Sequence, residues 1–208
     1  MHRRDFLTAT ALAALPLAAS PLIAHAQPAT GQPAPAFALT DVDGRKVTLA
    51  DLRGKYVVLE WTNPSCPFVQ KHYNTGNMQS LQKKFAGEGV QWVVINSTAT
   101  THPEFIKPAD QKAWLQKHGA GATIVALDAD GTVARAYAAK VTPHMYVIDP
   151  NGVLVYAGAI DDRRSANPDD VKGANNYVLQ AMAELKAGKP VSMPATNAYG
   201  CTIKFAAG

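Results

Sequence analysis

Two cysteines, Cys66 and Cys201, are the side chains best suited to covalent chemistry in this 208-residue sequence. Cys66 lies within YVVLEWTNPSCPFVQKHY, residues 56–73, where an apolar, β-branched run leads into an Asn-Pro-Ser turn, a proline and a helical spacing. The stretch reads as buried strand, tight loop and helix. Cys66 then sits at the helix N-terminus, with Pro67 in the first helical position, where a missing N–H costs nothing. Free amide donors of the first turn and the helix dipole would favour thiolate over thiol and make this sulfur a nucleophile. The competing reading is a small hydrophobe in a strand-to-helix corner, since free cysteine is among the most buried residue types. Cys201, near the C-terminus in YGCTIKF, supplies a second sulfur that could serve as disulfide partner, free thiol or metal ligand.

The N-terminus bears on which of these applies. Arg3 and Arg4 precede an apolar run that ends in Ala24-His25-Ala26, the pattern of a twin-arginine export signal cleaved after Ala26. The alternative is a retained membrane anchor, but the run is short and is broken by Pro16 and Pro21. Export would carry both cysteines into an oxidising compartment, where an even pair favours a disulfide. The expected organisation is a signal over residues 1–26, a Pro/Gly/Ala linker over 27–36, one domain over 37–190 and a cysteine-bearing tail over 191–208. A net charge of +4, dispersed along the chain, does not suggest nucleic acid, and no membrane segment follows the signal. Nucleotide, haem and flavin motifs are absent from the sequence, so no cofactor is expected.

The elements that must position Cys66 follow from pattern and turn chemistry. FALTDVDGRKVTL alternates around Asp43-Gly44 and predicts a hairpin. The strand Tyr56 to Trp61 comes next, then a helix from Cys66 to about Phe85, ended by Gly87 and Gly89. Gln91 to Asn96 reads as a buried parallel strand, completing a βαβ unit around Cys66. A polar loop with Pro103 and Pro108 leads to a helix stopped by Gly119, the strand ATIVALD, and a short helix capped by Asp130. After Val141-Thr142-Pro143, two β-rich runs flank Asp149-Pro150-Asn151-Gly152, a hairpin at the end of the sheet. Asp161-Asp162-Arg163-Arg164 reads as a solvated charge cluster, Pro168 to Lys186 as a helix, and the tail beyond Pro194 has no helical period.

Hairpin, strand, cysteine loop, helix, strand, helix and an X-Pro before a closing hairpin together resemble the thioredoxin fold in its peroxiredoxin-like (redoxin) branch, over about residues 33–190. The resemblance implies an α/β domain with a central mixed sheet flanked by helices. Cys66-Pro67-Phe68-Val69 stands where thioredoxins carry Cys-x-x-Cys, with Val69 replacing the second cysteine, so Cys66 has no sulfur partner within one turn. Glu60, six residues earlier, matches the family's buried proton-handling acid; the alternative is a strand-edge glutamate facing water. Thr142-Pro143 matches the residue and cis-proline that face the reactive sulfur, and Gly200-Cys201-Thr202-Ile203-Lys204-Phe205 resembles the C-terminal end of some exported redoxin-like proteins.

The implied activity is thiol–disulfide exchange with protein or small-molecule thiols and disulfides. Cys66 would attack, Glu60 would handle the proton, and Cys201 would be either a structural staple or the resolving thiol. Three alternatives compete: a peroxidase, a copper-binding protein, and a non-catalytic domain that uses the fold for partner binding. A peroxidase of this family would need Pro, Thr or Ser, and Arg where this chain has Leu59, Asn63 and Pro143, although Thr62 lies one residue away. A copper site would draw on His144 and Met145 beside Pro143, but the Cys-x-x-x-Cys spacing of copper-delivering relatives is missing. His72, His102 and His118 are expected on the surface or in loops.

Overall fold

A computed structural model describes residues 28–206, so the export signal expected over residues 1–26 lies outside the described residues. The order is β1 (Ala38–Asp41), β2 (Lys46–Thr48), β3 (Val57–Trp61), α1 (Pro67–Asn74), α2 (Asn77–Gly87), β4 (Gln91–Asn96), α3 (Pro108–Lys117), β5 (Ile124–Leu127), α4 (Thr132–Ala136), β6 (Val141–Thr142), β7 (His144–Ile148), β8 (Leu154–Gly158), α5 (Tyr177–Lys186) and β9 (Cys201–Thr202). Seven strands form one mixed sheet in the order β2-β1-β5-β4-β3-β7-β8, while β6 and β9 pair separately. The strands β3, β4 and β5 run parallel, and β7 returns antiparallel beside β3.

Side chains of β3 alternate between two apolar layers. Val58 packs with Cys66, Trp92, Val94, Met145 and Val147 under α1, α2, α3 and α5. Val57, Leu59 and Trp61 pack on the opposite face with Val93, Ile95, Tyr146 and the residues of α4. Both faces of β3 are therefore covered, which explains why the whole strand is buried.

Four local expectations change. The helix after Cys66 is two helices, because Gly76 adopts φ 75° and breaks the chain between Asn74 and Asn77. The α4 N-terminus is held mainly by buried Asp128, which accepts from the Val133 and Ala134 amides, while the Asp130 carboxylate accepts from the Thr132 amide. The helix expected from Pro168 begins at Tyr177, where the Asn176 side chain accepts from the Leu179 amide, and Pro168–Val171 is a separate 3₁₀ turn. Residues expected as linker are pinned along the sheet end: Gly31 N–H donates to the Leu154 carbonyl at 2.7 Å, and Leu154 N–H donates to the Gln32 carbonyl at 2.9 Å.

The tail is also fixed. Val141 pairs with Thr202 and Thr142 with Cys201, antiparallel, and Ile203 N–H donates to the Lys140 carbonyl at 3.0 Å. The Ala99 amide donates to the Lys204 carbonyl at 2.8 Å, and Ile203 is buried in the second apolar layer. Two-residue strands leave no periodic signal in sequence, which is why this pairing is not readable there.

Candidate functional site

The loop before α1 is shaped by its own polar groups. Asn63 Oδ1 accepts from the Ser65 amide at 2.8 Å, and the Cys66 amide donates to the Asn63 carbonyl at 2.9 Å. Gln70 Nε2 donates to the Pro64 carbonyl at 2.9 Å, tying the loop to the first turn of α1. Cys66 is the N-cap residue, in extended conformation, with Pro67 at the first helical position. The sulfur does not take up the helix amides. It turns across to the proline loop, where Cys66 Sγ donates to the Thr142 carbonyl at 3.1 Å.

Thr142 and Pro143 are joined by a cis peptide bond and both are buried. The tail closes the other side. Cys201 lies opposite Thr142 in the β6–β9 register and packs against the apolar layer that contains Cys66; both cysteines are free thiols, with no disulfide between them. Burial, reinforced by the neighbouring Cys66, pushes the Cys201 thiol up to about 12, with Lys204 opposing the shift. Gly200 makes this approach feasible: a Cβ there would lie 1.9 Å from the Thr142 carbonyl oxygen, and its φ of 136° is one that L side chains rarely adopt. Cys66 retains only 1% of its accessible surface beneath this cover.

Glu60 is fully buried, not at a strand edge. On β3 it stands opposite Met145 and Val94, both in the Cys66 layer. Trp92 Nε1 donates to its carboxyl at 2.7 Å, the Tyr73 hydroxyl at 2.8 Å and Gln82 Nε2 at 3.1 Å. Burial raises its pKa to about 7 against these three donors, which pull the other way. Tyr73, Gln82 and Trp92 come from α1, α2 and β4, and no spacing in the sequence points to them. None of the hydrogen bonds of Glu60 among the described residues reaches Cys66.

The metal and peroxide alternatives meet different surroundings. His144 and Met145 point to opposite faces of β7. Met145 joins the Cys66 layer, whereas His144 stacks on Tyr146, 4.6 Å between ring centres, on the far side. Among the described residues no three His, Cys, Asp or Glu side chains converge as metal ligands. Leu59 also faces away from Cys66, and Asn63 is engaged by Ser65 and by Glu104, whose carboxylate accepts from Asn63 Nδ2 at 2.7 Å.

His72 and Asp161 overturn the surface readings given to them. His72 on α1 is buried, and Asp161 after β8 is buried while Asp162, Arg163 and Arg164 are exposed. Asp161 Oδ2 lies 3.9 Å from both Lys71 Nζ and His72 Nε2, and Oδ1 accepts from the Arg163 amide and the Tyr199 hydroxyl. Burial, then the Lys71 charge, depress the His72 pKa to about 3, so it stays neutral, with Asn77 Nδ2 donating to its Nδ1 at 2.8 Å.

A cysteine at the start of a helix, facing a cis-proline loop on a mixed sheet flanked by helices, defines a thioredoxin-like fold. The profile of the AhpC/TSA family matches residues 30–157, more than half of the sequence, and the chain belongs to that family. The thiol-disulfide oxidoreductase ResA of Bacillus subtilis is 30% identical over 125 residues, covering 59% of this chain and 63% of ResA, less than two thirds of that relative. An uncharacterized conserved protein from Geobacillus kaustophilus superposes with a TM-score of 0.76 at 30% identity, covering 86% of this chain and 94% of its own. A putative thiol:disulfide interchange protein DsbE from Chlorobium tepidum gives a TM-score of 0.51 at 29% identity, over 63% of this chain and 85% of its own. Cys201 lies beyond the stretch matched by the family profile.

Proposed function

We propose that the protein is an exported thiol–disulfide oxidoreductase that works through Cys66 and Cys201. The observation that carries this reading is that both cysteines meet at Thr142: Cys66 Sγ donates to its carbonyl, and Cys201 pairs with it in the β6–β9 register. The names of the ResA and DsbE relatives support the reaction class, and the paired arginines before an apolar run support export.

In the proposed cycle Cys66 Sγ attacks a substrate disulfide, forming a mixed disulfide and releasing one substrate thiolate. Cys201 then attacks the Cys66 sulfur, breaking the mixed disulfide and releasing the second thiolate. The product is a Cys66–Cys201 disulfide and two substrate thiols, with the two protons of the dithiol passing to substrate sulfur. An external dithiol restores the reduced pair by the reverse steps. Cys201, held as a thiol until Cys66 is engaged, acts second. Glu60, half-protonated near pH 7, exchanges protons with the site, and Thr142 and Pro143 line the approach to Cys66.

Mixing the reduced protein with an aromatic disulfide that releases a coloured thiolate tests the cycle. Wild type should release two thiolates per chain, and Cys201→Ser one, with the aromatic group left on Cys66. Equal rates in wild type and Cys66→Ser, or a stable aromatic adduct on wild type, would contradict the proposal.

A further inference from the structure

The buried charges on the outer side of α1 take no part in the exchange just described, yet they touch the segment that carries Cys201. Tyr199 stands two residues before Cys201 and is buried; its hydroxyl donates to Asp161 Oδ1. Its ring packs edge-on against Phe68 at 5.9 Å and lies 5.6 Å from Lys71 Nζ. Phe68 and Lys71 belong to the same helix that Cys66 begins. Asp161 is held in turn by the Arg163 amide at 3.0 Å, and Lys71, which faces it, donates to the Arg163 carbonyl at 2.9 Å.

Buried polar and charged groups gathered from three segments are an expensive arrangement, because each must be desolvated. The cluster has one geometric consequence. It clamps the tail to α1 immediately before Gly200, where the chain must pass within contact of the Thr142 carbonyl. On the far side of Cys201 the tail is held by Ile203 and Lys204 through backbone hydrogen bonds.

We propose that Lys71, Asp161 and Tyr199 form a catch that seats the tail over Cys66, setting both how often Cys66 is uncovered for an outside disulfide and how readily Cys201 reaches it. They are positioning residues. The proposal rests on the oxidoreductase reading for its second consequence only; the covering of Cys66 is independent of any disulfide.

The test separates the two. In a Cys201→Ser background no internal disulfide can form, and alkylation of Cys66 by iodoacetamide reports the uncovering of the sulfur. Tyr199→Phe, which keeps the ring and removes the hydroxyl, should raise the alkylation rate about tenfold or more, the effect of losing a hydrogen bond to a buried carboxylate. It should also speed exchange of the Ile203 amide. The double variant Asp161→Asn with Lys71→Met removes both charges together, so neither is left buried alone, and should accelerate both readouts. Unchanged rates in either folded variant overturn the proposal. With both cysteines present, Tyr199→Phe should slow closure of the Cys66–Cys201 disulfide from a mixed disulfide on Cys66 about tenfold, because the displaced tail must be reseated, whereas a structural role would leave that rate where it is. Failure of wild type to form the disulfide would count against the oxidoreductase reading and leave the alkylation result to decide the catch.

Discussion

Replacing Glu60 by glutamine should change how stability depends on pH, by an amount fixed by burial. In the folded protein the carboxyl is raised from an ordinary 4.5 to about 7, first by burial and against the donors Trp92, Tyr73 and Gln82. Between those values the folded chain keeps a proton that the unfolded chain has lost, so the contribution of Glu60 to stability is greatest below about 4.5, falls as pH rises, and levels off above about 7. A shift of this size, at roughly 1.4 kcal/mol per pH unit, corresponds to about 3 kcal/mol. The substituted amide cannot ionise and removes that slope, while it can still meet the hydroxyl of Tyr73. Urea unfolding of both proteins, reduced, from about pH 4.5 to pH 8.5 measures the difference. Wild type should lose about 3 kcal/mol relative to Glu60→Gln across the range. Contributions from His72 and His144, depressed to about 3 and about 4 by burial, are common to both chains and cancel. A difference that stays constant with pH would refute the reasoning.

Other expectations follow from particular contacts. His72 is neutral when folded and charges more readily when unfolded, so it contributes stability above about 6.5 that is lost as pH falls toward 3. His72→Gln should therefore flatten the acid limb of the stability profile, and an unchanged slope between those values would contradict the assignment. Gly200→Ala places a methyl against the Thr142 carbonyl and should cost about 1–3 kcal/mol or displace the tail. Thermal unfolding and exchange of the Ile203 amide read both effects, and a wild-type profile in each would be the contrary result. Hydrogen peroxide should oxidise Cys66 slowly and without saturation, since Leu59 faces away and Asn63 is occupied by Ser65 and Glu104. Fast, saturable peroxide turnover with a thiol donor would reinstate a peroxidase.

What the sequence discloses is local. The strand before Cys66, the turn, Pro67 at the helix start and the Asp43-Gly44 hairpin are each written in neighbouring residues, and the structure has them where turn chemistry puts them. Glu60 and Thr142-Pro143 are placed by resemblance, and the described structure buries the acid and makes the proline cis. Groups brought in from distant segments are illegible. Lys71, His72 and Asp161 carry types that usually face water, so only the meeting of α1 with the loop after β8 and with Tyr199 explains their burial. The break at Gly76 is visible as a glycine inside a helical run, a signal outweighed by the helix formers on either side. The tail shows no period because two-residue pairing leaves none, and its fixed course comes from the β6–β9 register, the backbone bonds of Ile203 and Lys204 and the Tyr199 hydroxyl on Asp161.

The central claim is that Cys66 and Cys201 are a reversible redox pair. Equilibrating the protein in glutathione buffers of stepped ratio, trapping free thiols with an alkylating agent and reading intact mass tests it directly. The account predicts a single transition from unalkylated to doubly alkylated chain, well above the roughly −300 mV below which structural disulfides usually lie, and lost in Cys201→Ser. Two freely alkylated thiols at every ratio, or a bond that stays closed at the most reducing one, would contradict it.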